Sequence, residues 1–214
     1  MIQFEKLGIF LSRPIAFLLV LIYFLQSGLL VYLIADKFDL EEQISFQQKR
    51  IREVEERLQI LKAIDDFQIG FNKQEADKLG DVIYSESKKY GYDPMFVMAI
   101  ILTESSFRKG QSSSAGALGL MQVVPYVGAD VAPRAGVNWD GKATLQQPED
   151  NIKVGTRLLF EQILKFGDVK KALVSYNMGE TALRDMMKRH QPLPKKYLRA
   201  IEENYRMLKE TYKA

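Results

Sequence analysis

The first third of the chain reads as two helical patterns laid end to end. Residues 14–35, PIAFLLVLIYFLQSGLLVYLIA, run for 22 positions without a formal charge, about the length a helix needs to cross ~30 Å of hydrocarbon. Gln26 and Ser27 are mild flaws near the middle of the run. The pattern predicts a transmembrane helix. A cleaved signal peptide is the competing reading, but the apolar part is long for one and no convincing small-x-small cleavage site follows. Lys6 and Arg13 precede the span and Asp36 follows it. The positive-inside rule therefore puts residues 1–13 in the cytoplasm and the bulk of the chain outside it.

The next segment, residues 36–70, is polar with a repeating apolar seam. Leu40, Ile44, Ile51, Val54, Leu58 and Leu61 follow one another in steps of four, seven, three, four and three. That is a heptad a/d pattern, with Gln47 at one skipped core position and Asp65 where it ends. It predicts a helical stalk of up to ~45 Å if fully helical. The seam suits homo-oligomer formation or docking of a partner helix through residues 40–65, and equally a solvated amphipathic helix. Gly70 and Asn72 mark the boundary of a domain over 71–214.

From residue 72 onward helix signals recur and strand-like alternation does not. Gln74–Lys89 carries Leu79, Val82 and Ile83 on one face, and Gly91 stops it. Asp93 is a candidate N-cap with Pro94 at the first helical position. The following stretch, MFVMAIIL, is apolar nearly all round, so it predicts a buried central helix. Further helices are expected over Asn151–Phe166 before Gly167, Val169–Met178 before Gly179, Thr181–Arg189, and from Lys195 to the end. The expected fold class is mostly α.

Composition narrows the chemistry. With 47% hydrophobic and 27% charged residues the chain is that of a folded protein. It has no cysteine and one histidine, His190, which removes disulfides, thiolate sites, His-cluster metal sites and most His-based triads. No metal and no cofactor is expected. The net charge of +3 divides unevenly: 9 acidic against 6 basic residues in 36–70, and 17 against 22 in 71–214. The basic excess comes without a basic helix interleaved with aromatics, so nucleic acid is not the expected partner.

A carboxylate one residue beyond eight apolar ones invites a chemical explanation. If Glu104 projects from the end of the buried helix into a cleft, partial desolvation keeps it protonated near neutral pH, as a general acid requires. A Glu at a helix end is otherwise usually solvated.

The surrounding residues supply the context. Glu104 and Ser105 are followed by Ser113, Ala115 and Gly116, then by Gly119, Leu120, Met121 and Gln122. Pro148, Glu149, Asp150, Asn151 and Ile152 open a later helix; Tyr176, Asn177, Met178 and Gly179 follow, and Tyr197 comes after Pro194. In this order, over roughly residues 80–205, they resemble the soluble lytic transglycosylase (SLT) family, whose catalytic domain is related to goose-type lysozyme.

The resemblance implies a lysozyme-like helical domain that cleaves the β-1,4 bond between N-acetylmuramic acid and N-acetylglucosamine in peptidoglycan, leaving 1,6-anhydromuramoyl ends. Glu104 takes the place of the single acid/base. Ser105, Ser113, Gln122, Tyr176, Asn177 and Tyr197 take places that bind substrate. Amides and hydroxyls suit that task because they bond sugar hydroxyl and N-acetyl groups without adding charge beside the glutamate. On residue type alone Ser113 could equally be a turn residue, Gln122 a helix-capping amide and Tyr176 a core aromatic. Gly116 and Gly119 read as structural.

The sequence also departs from the family. Leu193 stands where many members carry a Glu, Lys195 and Lys196 precede Tyr197, and VVPYVG after Gln122 predicts a bulkier cleft edge near Tyr126. An inverting hydrolase would need a second, water-activating acid roughly 6.5–9.5 Å from the first; Asp130 and Glu149 are the available candidates. The sequence thus points to a membrane-anchored enzyme of a bacterial envelope, held in the inner membrane with its domain in the periplasm or outside the cell membrane. The alternatives are a catalytically silent peptidoglycan-binding scaffold and a muramidase-type hydrolase.

Overall fold

The computed structural model describes residues 2–4 and 9–213. Lys6, one of the two charges behind the expected orientation of the span, lies outside the described residues. The chain divides into two compact units between Glu53 and Val54.

In the first unit, β1 (Ile2–Phe4) pairs antiparallel with β2 (Ile9–Leu11), with Ile2 opposite Leu11. The helix α1 (Arg13–Phe67) follows without a break from the uncharged run into the heptad segment. It is long and apolar enough to cross a membrane, with a mean hydropathy of 2.3 over its most apolar window, none of it buried. The heptad residues Leu40, Ile44, Ile51, Val54 and Leu58 are all exposed.

The second unit is helical among its described residues. It begins with the end of α1, where Ile60, Ala63 and Ile64 are wholly buried in the core. The sequence places the domain boundary near residue 70, whereas the core starts a full three turns earlier. By the about 100° step of a helix the wholly buried Ile60, Ala63 and Ile64 fall on the face of α1 opposite the seam, whose last residue, Leu61, is half-buried beside Gly80.

α2 (Lys73–Tyr90) starts on Asn72, whose side chain accepts from the Glu75 N–H while Glu75 accepts from the Asn72 N–H. This reciprocal cap satisfies two of the four donors a helix start leaves open. Gly91 ends it in the left-handed conformation. α3 (Pro94–Ser105) opens on Asp93, which accepts from the Met95 N–H, and seven of its residues from Met95 to Ser105 are buried. After it come α4 (Pro125–Val131), a 3-10 turn (Ala132–Ala135) and α5 (Lys142–Gln146). The sequence pattern did not predict these three. Their lengths give no periodicity, and packing holds them: a Cβ on Gly128 would lie 3.0 Å from the Trp139 ring.

α6 (Pro148–Phe166) ends on Gly167 and α7 (Val169–Met178) starts on Asp168, at the expected ends; α8 (Glu180–Lys188) and α9 (Lys195–Thr211) complete the fold. α3 lies chiefly against α9, and α6 lies between α2 and α7. Met98, Ile100, Ile101, Phe107, Met121 and Ile152 fill the centre.

Candidate active site

Glu104 is the penultimate residue of α3 and is only partly accessible. Its helix is fixed at this end by Thr103, whose hydroxyl donates to the Ala99 carbonyl (2.8 Å) and accepts from Asn204 Nδ2 of α9 (3.0 Å). Burial pushes the Glu104 carboxyl up to about 6, against the opposing pull of Tyr197, whose hydroxyl donates to Oε1. The ionised form loses more from desolvation than it gains from one phenol.

Two tyrosines flank the carboxyl. Tyr197 sits in the first turn of α9, and burial together with the Glu104 charge holds its own ionisation far above the ordinary range. Tyr176 of α7 is raised by the same two causes, burial first and the Glu104 charge second. Its hydroxyl donates to the Met121 carbonyl (2.7 Å), which ties α7 to the loop after Gly119.

That loop is held from below by Asn151, a fully buried amide on α6. Its Oδ1 accepts from the Met121 N–H (2.7 Å), while Nδ2 donates to the carbonyls of Leu118 (2.8 Å) and Leu145 (3.0 Å). Gly119 has φ +78, and a Cβ there would lie 2.3 Å from Asn151 Nδ2 and 2.5 Å from the Leu145 carbonyl. Glycine is thus required for both conformation and space. One turn along α6, a Cβ on Gly155 would meet Met121 Cβ at 2.7 Å and the Tyr176 hydroxyl at 3.0 Å. The sequence reading assigned no site role to Asn151 or Gly155. Asn151 stood in a quoted motif, and a glycine inside a helical pattern is itself a signal of close approach. Nothing in the sequence marks the Asn204 to Thr103 bond.

The remaining predicted residues divide. Gln122 has φ +48 and spends its amide N–H groups on the carbonyls of Gly119 (2.8 Å) and Gln111 (3.2 Å), so it braces the loop and leaves its amide oxygen as the group to offer a ligand. Ser113 closes a turn, its hydroxyl accepting from the Ala117 N–H (3.0 Å). Ser105 is buried and donates to the Ile101 carbonyl of its own helix (3.1 Å). Asn177 is exposed next to Tyr176. Glu104, Tyr176 and Tyr197 come together around one carboxyl, whereas Ser105 and Ser113 serve local backbone.

Asp130 is exposed and paired with Arg134 (2.9 Å), which holds its carboxyl below the ordinary range. Glu149 stands in the first turn of α6. Among the described residues no group of His, Asp or Glu side chains could hold a metal ion. A groove of about 1260 Å³ lies between α4, α6, α7 and α8. Tyr176 is on its wall and Glu104 is not.

A model of the transglycosylase SLT domain matches residues 81–198. Over 99 residues the chain is 33% identical to the transglycosylase of Enterobacteria phage PRD1, a stretch covering 46% of this chain and 34% of that protein. It is 41% identical over 87 residues to the membrane-bound lytic murein transglycosylase C of Sodalis glossinidius (strain morsitans), covering 39% of this chain and 24% of the relative. The chain thus spans about a third or less of the length of these relatives. Among solved structures, an inactive mutant of lytic transglycosylase Slt from Pseudomonas aeruginosa superposes with a TM-score of 0.48 at 25% identity, over 60% of this chain and 22% of that one. The matched segment takes in more than half of the sequence and holds Glu104, the Asn151 clamp, Tyr176 and Tyr197: the chain belongs to the transglycosylase SLT domain family.

Proposed function

We propose that the chain is a membrane-anchored peptidoglycan lytic transglycosylase with Glu104 as its single acid/base. The observation that carries this reading is one carboxyl at the end of a buried helix, desolvated to a pKa of about 6 and touched by the Tyr197 hydroxyl. Such a group is partly protonated near neutral pH and can serve in both directions.

In the first half of the reaction Glu104 gives its proton to the glycosidic oxygen as the bond from C1 of N-acetylmuramic acid to that oxygen breaks. The substrate's own N-acetyl group stabilises the oxocarbenium charge, so a second enzyme carboxylate is not needed. In the second half the muramoyl 6-hydroxyl oxygen attacks C1 and its proton returns to Glu104. One C–O bond is exchanged for another, no water is consumed, and the carboxyl ends as it began. A hydrolase would call on a second acid, and Asp130 is already engaged with Arg134.

The anchor in this reading is residues 14–35, with residues 1–13 in the cytoplasm, residues 36–70 as the stalk, and the catalytic unit in the periplasm. The uncharged, unburied start of α1 supports it. Self-association through residues 40–65 is a secondary part, supported by the exposed seam Leu40, Ile44, Ile51 and Val54; sedimentation of the detergent-solubilised protein as a monomer would remove it.

The test is digestion of purified sacculi by the full chain in detergent, beside its Glu104→Gln form, with mass analysis of the released muropeptides. The expected products from the unaltered chain are anhydro-muramoyl fragments, lighter by one water than hydrolytic ones. Glu104→Gln should lower their release by roughly 10²–10⁴-fold. Reducing-end products would overturn transglycosylation, and undiminished release by the variant would overturn the role of Glu104.

A further inference from the structure

Six large apolar side chains outside α1 are exposed among the described residues, and three of them, Tyr126, Leu164 and Met178, lie on the wall of the groove beside Tyr176. Tyr126 is the extreme case, with 77% of its surface open, more than any other large apolar side chain described as exposed. An aromatic ring so placed forgoes the burial that a core site would give it.

The helix that carries the ring is also held firmly. Pro125 starts its helix, and Gly128 lets α4 lie flush on Trp139 and Leu145, where a Cβ would meet both at 3.0 Å. Asp130 on α4 bonds Arg134, and Arg134 in turn bonds Glu161 of α6 at 2.8 Å. Tyr126 is therefore a flat apolar face on a fixed support, in a groove whose walls also carry the neutral polar side chains of Asn177 and Thr181, while the Ser175 and Tyr176 hydroxyls already donate to Gln162 and Met121. The charges on these walls are paired, Arg134 with Asp130 and Glu161, Lys165 with Glu180, and Asp185 with Lys188 just outside the groove. A ligand fitted to this surface is neutral, has one apolar face, and carries hydroxyl or amide groups at its edge.

We propose that Tyr126 is a stacking platform for an N-acetylhexosamine ring of the glycan strand, bound in the groove that Tyr176 lines and Glu104 does not. The carbon-bound hydrogens of a pyranose face give the ring its apolar contact, and the acetamido and hydroxyl groups meet the neutral side chains. The inference rests on the transglycosylase reading for the identity of the strand. The placement of the platform rests on the groove alone.

The test measures binding, so that turnover does not enter. The full chain carrying Glu104→Gln, in a detergent without a sugar headgroup, is titrated calorimetrically with bare N-acetylglucosamine oligomers and, separately, with peptide-bearing glycan strands. The same titration is run with Tyr126→Ala and Tyr126→Phe added. The ring is exposed, so circular dichroism and melting should be unchanged in both. The expected result is a roughly three- to tenfold weaker affinity for Tyr126→Ala, with Tyr126→Phe close to the parent. Equal affinity in all three overturns the platform and leaves the transglycosylase reading standing. A loss confined to peptide-bearing strands overturns it in favour of stem binding. If the parent binds neither bare oligomers nor strands, both readings fall together.

Discussion

A carboxyl that gives up a proton and takes it back works best when its pKa lies near the ambient pH. At Glu104 burial pulls up, the Tyr197 hydroxyl pulls down, and burial prevails. Removing the phenol's hydroxyl leaves burial unopposed, so Tyr197→Phe should move the alkaline limb of the kcat/KM profile to higher pH, starting from a limb near pH 6. A profile that only falls in height, without shifting, would mean that Tyr197 acts on substrate rather than on the carboxyl. Below the carboxyl, Asn151 uses its acceptor and both donors on three backbone groups. Gly155→Ala should press on Met121 Cβ and the Tyr176 hydroxyl together, costing about 1–3 kcal/mol of stability by overpacking, with activity falling further than stability explains. Urea denaturation beside muropeptide release separates the two. The residues that could be read from the sequence are those whose chemistry is local: Glu104 after its apolar run, and the glycines of the loop. The Asn151 clamp was visible only as a motif, because the partners of a buried amide lie 30 and 33 residues away in Met121 and Leu118.

At the scale of elements, the ends of helices carried most of the legible signal. Gly91, Pro94, Gly167 and Gly179 punctuate the chain where α2, α3, α6 and α7 start or stop, because cap positions impose backbone conformations that few residues meet. The short elements α4 and α5 were not legible, since fewer than two turns give no period and tertiary contact alone holds them. The stalk shows a different limit. A heptad says which residues share a face and nothing about what covers it; the domain core takes up Ile60, Ala63 and Ile64 instead. Ile64→Ala should therefore destabilise the catalytic unit by about 2–5 kcal/mol, as read by chemical denaturation of the full chain, although the residue lies in what the sequence marks as stalk. A change below about 1 kcal/mol would show that the end of α1 is a removable support.

For the molecule as a whole, the candidate site is assembled from far along the chain. The Tyr197 hydroxyl reaches Glu104 across 93 residues, and the Tyr176 hydroxyl reaches Met121 across 55. No local pattern encodes these pairings, which is why family resemblance named the residues before physics could place them. The separation also sets an order in time. While the chain is being made, the acid emerges long before its partner: α3, apolar nearly all round, as yet has no α9 to lie against. In the function proposed above, the site is therefore complete only when the final helix has docked and Tyr197 meets the carboxyl.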